Sequence, residues 1–220
     1  MPKQSISTYE HVFPVVGFIS DESLGLRVKN VFGTSFPLGG GYFMTAEHVV
    51  TSAQVKGKIG IGHPDHENWL VTTVSQFEVH PELDLAIFRA EVPKVTALSW
   101  IRREIPMLTE VQACGFPYAL DPAAGTVTIR AFRGYVVTSR TWHSLSAKPR
   151  IYELQFMCPR GISGGPLWVR ERPLTVAGVV FGNSITEMTV FKDEEIEEEG
   201  GKRTVYERRE HLHLGVAVEI

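Results

Sequence analysis

Cysteine is nearly absent: Cys114 and Cys158 are the only two in 220 residues. They lie in apolar, strand-like runs, "EVQACGF" and "LQFMCPR". That excludes a small fold stapled by disulfides and points to two free thiols used as packing. A secretory leader is also missing from the start, "MPKQSISTYEHVFPVVGF", which has neither a basic opening nor a following apolar stretch. With the free thiols, this gives a cytoplasmic location as the expectation. No apolar run is long enough to span a bilayer. Neither sign of charge dominates, since 22 Lys+Arg against 25 Asp+Glu leave a net charge of −3. Neither nucleic acid nor a membrane surface is therefore expected as a partner. A long helical period is lacking everywhere, and nothing in the sequence speaks to oligomeric state.

What is plentiful is strand signal. Short runs rich in Val, Ile, Phe, Tyr and Thr recur between Gly, Pro and Asp punctuation. The first half offers "HVFPVVGF", "GLRVKNVFG", "YFMTAEHVV", "GKIGIG", "WLVTTVSQFEV" and "LDLAIFRA". The second half offers "EVQACGF", "TVTIRAFRGYVVTS", "RIYELQFM", "PLWVR", "LTVAGVVFG" and "HLGVAVEI". Many short strands with tight connections predict an all-β protein built as a sandwich or a pair of barrels. The pattern loosens over "TALSWIRREIPMLT". We therefore divide the chain into an N-terminal barrel over residues 7–95, a linker over 96–108 and a C-terminal barrel over 109–220. A charged insertion, residues 192–210, interrupts the second barrel. It runs acidic from Asp193 to Glu199 and turns basic after Gly200 and Gly201. Such a segment reads as a solvated hairpin or loop whose arms attract each other, or as a docking element for a regulatory partner.

The stretch "PRGISGGPLW", Pro159 to Trp168, surrounds Ser163 with Gly161, Gly164 and Gly165. Glycine is kept where the backbone turns sharply or lies against a ligand. Two readings stand at this point: a tight turn with an incidental serine, or a nucleophile whose neighbouring amides are bared to hold negative charge. A serine nucleophile needs a base within reach, and the base needs a group that fixes its tautomer. The chain supplies both types. "GGGYFMTAEHVVT" carries His48 at the end of an apolar strand, and "HPELDLAIFRA" carries Asp84 at the head of another. A carboxylate followed by Leu85, Ala86 and Ile87 is drawn inward and must find a donor.

Together "TAEHV", "DLAIF" and "GISGGPLW", in the order His, Asp, Ser, resemble the chymotrypsin/trypsin-like serine peptidases. They are most similar to the disulfide-free bacterial branch typified by the HtrA peptidase domain, here without its PDZ domain. The resemblance implies two antiparallel β-barrels with the active site in the cleft between them, a protein or peptide substrate, and no cofactor. It gives Ser163 as nucleophile, His48 as general base and acid, and Asp84 as the group orienting His48. The amides of Gly161 and Ser163 would form the oxyanion hole. Loss of one such donor typically costs about 2.7–4 kcal/mol of transition-state stabilisation. "LTVAGVVFGNS" looks like the strand lining the substrate cleft, and "HLGVAVEI" like the strand closing beside it.

The pattern also departs from the family. Ile162 stands where trypsin has an aspartate that pairs with a newly released N-terminus, and where HtrA enzymes usually have asparagine. Activation by N-terminal insertion is therefore not expected. Met157, six residues before the serine, falls at the base of the pocket for P1, the residue whose carbonyl is attacked. With Cys158, Phe181 and Gly182 it implies an apolar pocket for small to medium aliphatic side chains. The spacings in "GHPDH" (His63, His66) and "EHLHL" (His211, His213) suit a metal, but no cysteine or carboxylate cluster accompanies them, so no metal is expected. His63, His66, His211 and His213 are assigned to surface loop or strand positions, and His80 to a turn. Two functional readings follow: an active serine endopeptidase, or a catalytically silent or conditionally active module that holds a peptide in the same cleft. The same chemistry would also cleave activated esters.

Overall fold

The computed structural model describes residues 10–21, 25–54, 58–65, 68–117, 120–121, 126–172, 174–196 and 203–220. The first lobe contains β1 (Phe13–Asp21), β2 (Gly25–Gly39), β3 (Tyr42–Thr45), helix α1 (Glu47–Gln54), β4 (Lys58–Asp65), β5 (Asn68–Thr73), β6 (Ser75–Val79) and β7 (Ala86–Arg89). Its strands form one seven-stranded sheet in the order β5-β4-β1-β2-β3-β7-β6. The two edge strands are consecutive in the chain and separated by Val74 alone, so the sheet must curl until its edges approach. Val74 donates its amide to Ile59 O at 3.1 Å, which ties the corner to β4. The single run expected over "WLVTTVSQFEV" is thus broken at Val74.

The second lobe contains β8 (Ser99–Trp100), β9 (Glu110–Gly115), a short pair β10 (Leu120–Asp121) and β11 (Thr126–Val127), β12 (Arg130–Thr141), β13 (Arg150–Leu154), β14 (Pro166–Val169), β15 (Thr175–Ile196) and β16 (Arg203–Glu219). The order β14-β9-β12-β13-β16-β15, with β14 also paired to β15, closes a ring and leaves no free edge within it. The chain is therefore an all-β double barrel. Residues 96–108 are more than a tether. β8 pairs in parallel with the start of β15, and Ile101 and Ile105 are buried in the second core.

Alternation explains the cores. In the first lobe, Phe13 meets Phe43 edge-on at 5.5 Å and Phe43 stacks on Phe88 at 5.8 Å. In the second, Tyr152, Leu154, Ile162 and Leu167 are fully buried together. Burying one such side chain contributes about 1.5–3 kcal/mol. A further cluster draws on both lobes, with Val12, Phe36 and Leu85 from one side and Phe116, Trp168 and Val179 from the other. This apolar seam fixes how the barrels meet.

Two expectations change here. The segment after Thr45 is helical, not a continued strand, and His48 sits in the first turn of α1. Val49, Val50 and Ala53 face inward at helical spacing, and Glu47 favours the helix start. His63, expected on the surface, is buried in β4, with its Nε2 3.0 Å from Thr72 Oγ1. His66 lies outside the described residues. The described parts of the charged insertion are the outer ends of β15 and β16, paired from Lys192↔Glu207 to Ile196↔Arg203. Its tip, residues 197–202, lies outside the described residues, and the docking element expected over Asp193–Glu199 falls partly there. Nearer the barrel the arms are tied by Arg209, which pairs with Glu187 at 3.2 Å and with Glu207 at 3.0 Å. Among the described residues no helix is long and apolar enough to cross a membrane.

Candidate active site

His48 and Asp84 meet across the first barrel. The Asp84 carboxylate comes from the turn between β6 and β7, which His80 organises. The His80 ring Nδ1 accepts the amides of Glu82 at 3.2 Å and Leu83 at 3.1 Å, and its own amide donates to Leu85 O at 2.8 Å. Asp84 Oδ2 lies 2.7 Å from His48 Nδ1, while Oδ1 accepts the His48 backbone amide at 2.9 Å. That amide is one of the donors a helix leaves unpaired in its first turn, so the carboxylate serves as a cap as well as a ring partner. An ionised carboxylate only accepts, so Nδ1 carries the hydrogen and the Nε2 lone pair is free to take a proton. The Asp84 side chain keeps 16% of its exposure and the His48 side chain 45%, an arrangement with a sheltered carboxylate and an imidazole open to the cleft.

Ser163 lies at the seam. Its carbonyl accepts the amide of Thr34 on β2 at 2.8 Å, and the next amide, Gly164, donates to Val180 O at 2.7 Å. Gly164 has φ +83, and a Cβ there would stand 2.1 Å from both Thr34 O and Thr45 Oγ1. The serine segment is therefore pressed directly onto the strand end that leads into α1 and His48. Ser163 Oγ itself donates to Phe181 O at 3.4 Å, a long bond on β15; among the described residues it makes none to His48.

The preceding turn has a defined type. Ile162 donates to Pro159 O at 3.1 Å, and Gly161, the third residue, has φ +102. A positive φ at that position specifies a type II turn, whose central peptide is flipped relative to type I. A Cβ on Gly161 would lie 2.6 Å from Phe116 O, so only glycine fits. The amides of Ile162, Gly164 and Gly165 all have backbone acceptors. Those of Gly161 and Ser163 have none among the described residues. Ile162 is fully buried in the second core, so a side chain unable to make an ion pair anchors this loop by packing.

The expected pocket residues are placed unevenly. Met157 is half exposed, whereas Cys158 is buried. Phe181 leans on Trp142, rings edge-on at 5.9 Å, and a Cβ on Gly182 would meet only open space. The sequence reading missed Asn183. Its side-chain amide clasps the Cys158 backbone, accepting from Cys158 N at 2.7 Å and donating to Cys158 O at 2.8 Å. The Cys158 thiol fills the space a Cβ on Gly215 would need. Burial pushes Cys158 up to about 12 and Cys114 up to about 11, so neither is poised as a thiolate. Both cysteines are free thiols. The His211 and His213 rings lie 6.2 Å apart on β16. Among the described residues no group of three or more His, Cys, Asp or Glu could hold a metal ion.

Comparisons with known proteins agree with the architecture. The family model described as a trypsin-like peptidase domain matches residues 33–175. No curated protein matches the chain. Among solved structures, the active form of the Rv3671c protease from M. tuberculosis is similar at 16% identity, over 96% of this chain and 77% of that one, with a TM-score of 0.63. The HtrA-type protease AlgW bound to a decapeptide is similar at 16% identity over 96% of this chain and 61% of that one, with a TM-score of 0.65. The MamO protease domain from Magnetospirillum magneticum is 13% identical over 96% of this chain and 92% of that one, with a TM-score of 0.61. At these identities the likeness concerns the fold.

Proposed function

This chain belongs to the trypsin-like peptidase family, and we propose that it is a serine endopeptidase working through Ser163, His48 and Asp84. The observation that carries this reading is the two-point grip of Asp84 on His48, which leaves the Nε2 lone pair free on a helix that follows the strand end against which Gly164, the neighbour of Ser163, packs. In the reaction, Ser163 Oγ bonds to the substrate carbonyl carbon while His48 Nε2 takes its proton. The carbonyl oxygen becomes an oxyanion facing the Gly161 and Ser163 amides. Collapse of the intermediate breaks the C–N bond, and the imidazolium returns its proton to the leaving amine. Water then attacks the acyl-enzyme with His48 as base, releasing the acid and restoring Ser163. Before the first step Ser163 Oγ must swing off Phe181 O. A hydrogen bond of that kind contributes only about 0.5–1.5 kcal/mol, so the rotation is a small demand.

The P1 preference we infer is for small to medium aliphatic side chains. Its support is the character of the residues expected to line the pocket: the buried Cys158, Phe181, and Gly182 with open space beside it, none of them charged. The test is digestion of a complex peptide mixture by wild type and Ser163→Ala, with the new termini identified by mass spectrometry. Cleavage by wild type only, after small apolar residues, is the expected outcome. Cleavage chiefly after Arg, Lys or large aromatic residues would overturn the preference.

One observation favours a second reading, a peptide-holding module of the same fold: the resting Ser163 hydroxyl is bonded to Phe181 O and not to His48. Folded wild type that binds peptides yet leaves every one intact would select it. The charged arms of β15 and β16 extend from the strand carrying Phe181 and Gly182, and we assign them a docking role for a regulatory partner or for basic substrate residues. Deleting Lys192 to Arg209 without changing kinetics on neutral and basic substrates would remove that assignment.

A further inference from the structure

We propose that Thr34 is a positioning residue that locks the oxyanion turn in its open form, and that it makes this form depend on docking of the two barrels. The proposal rests on the peptidase reading above and adds what holds the proposed oxyanion donors in place. Thr34 lies on β2, in the first barrel, and is completely buried. Its amide donates to Ser163 O at 2.8 Å, and its hydroxyl donates to Gly161 O at 2.8 Å. These are the carbonyls of the two residues whose amides are left without acceptors.

The hydroxyl has one orientation available. Oγ1 accepts the Phe116 amide at 3.1 Å, and an amide can only donate. The hydroxyl hydrogen must therefore go to Gly161 O. The peptide joining Gly161 to Ile162 is then held at both polar atoms, its oxygen by Thr34 and its N–H by Pro159 O. Thr34 is itself fixed, because its carbonyl accepts Thr45 Oγ1 at 2.6 Å at the end of β3, just before α1 and His48. One buried residue thus links the base-bearing strand end, the nucleophile's carbonyl and the oxyanion turn. In a dry site each of these bonds is strong, and a partner lost there is not replaced by water. Valine has threonine's shape but no hydroxyl. In Thr34→Val, Gly161 O and Phe116 N would both be left buried without partners, and the Gly161–Ile162 peptide, which lies between the two proposed donors, would be free to rotate.

The experiment compares wild type, Thr34→Val and Thr34→Ser, with rates normalised to titrated active sites. For Thr34→Val, kcat on a fluorogenic peptide is expected to fall about 10- to 100-fold, the scale of a small misplacement of catalytic groups. KM should stay within about two-fold, and affinity for a peptide aldehyde transition-state analogue should fall in step with kcat/KM. Thr34→Ser, which keeps the hydroxyl, should restore most of the rate. Relaxation-dispersion NMR supplies a readout that needs no turnover: exchange on the μs–ms timescale should appear at the Gly161 and Ser163 amides in Thr34→Val and be absent in wild type and Thr34→Ser. Folded Thr34→Val with unaltered kcat and analogue affinity would overturn the proposal, as would equal losses in the valine and serine variants. Should wild type hydrolyse nothing, the peptidase reading fails, while unaltered amide dynamics in Thr34→Val would separately refute the lock.

Discussion

Asp84 holds His48 at two points, Oδ2 at 2.7 Å from the ring Nδ1 and Oδ1 at 2.9 Å from the backbone amide. One carboxylate therefore sets both the tautomer of the imidazole and the start of the helix that carries it. Asp84→Asn separates these roles. The amide oxygen can still cap the helix, but its NH₂ faces the ring and favours the tautomer with hydrogen on Nε2. We predict a fall in kcat of about 10⁴-fold, as in other triads, with little change in thermal stability. Steady-state kinetics and a melting curve on the same preparation check both halves.

At Gly161 the φ of +102 and the 2.6 Å approach of Phe116 O both exclude a side chain. Gly161→Ala is predicted to destabilise the fold by about 1–3 kcal/mol, the scale of local backbone strain. It should also lower kcat by about 10²–10³-fold, the effect of losing one oxyanion donor. Urea denaturation and peptide hydrolysis measure the two separately.

Asn183 crosses from β15 to the Cys158 backbone and holds it at two points, so its removal frees the Cys158 segment to shift and deepen the pocket. For Asn183→Gly, the ratio of kcat/KM for a P1 Leu substrate over a P1 Ala substrate should rise about ten-fold, within the range that one or two methylenes command in an apolar pocket. An unchanged ratio would show that P1 binds elsewhere.

Burial raises three acids in the second barrel: Cys158 to about 12 from 9.0, Cys114 to about 11 from 9.0, and Tyr152 to about 12 from 10.0. Below about pH 9 all are protonated in both folded and unfolded chains, and their full contribution is present. Above it the unfolded chain loses these protons first, so stability falls as pH rises towards about 12. Denaturant unfolding at pH 7 and pH 10 should show that decline, and Cys158→Ala should lessen it. The same burial predicts that iodoacetamide alkylates neither thiol in the native protein at pH 8 and both after denaturation.

Much of the site was legible in the sequence because its chemistry is local. Asp84 is drawn in by the Leu85–Ala86 that follow it, and glycines bracket Ser163 because two of them adopt positive φ against foreign backbone. The strands were legible for the same reason, through alternation and turn residues. Helix α1 was hidden because Val49, Val50 and Thr51 are β-branched and read as strand, although the inward spacing of Val49, Val50 and Ala53 carries the helical signal. His63 reads as a surface loop or strand residue beside Pro64, yet in β4 it is buried. Met157 was placed by counting back from Ser163, and counting cannot show that it is half exposed. Thr34 and Asn183 bear no local signature at all. Each matters through a partner more than twenty residues away, brought near only by closure of the barrels.

The most direct test is labelling with a fluorophosphonate, which captures a serine hydroxyl only where a base and an oxyanion hole act on it together. Wild type should be modified stoichiometrically on Ser163, Ser163→Ala not at all, and His48→Ala far more slowly. Folded wild type that stays unlabelled, with peptide ligand present or absent, would contradict the account.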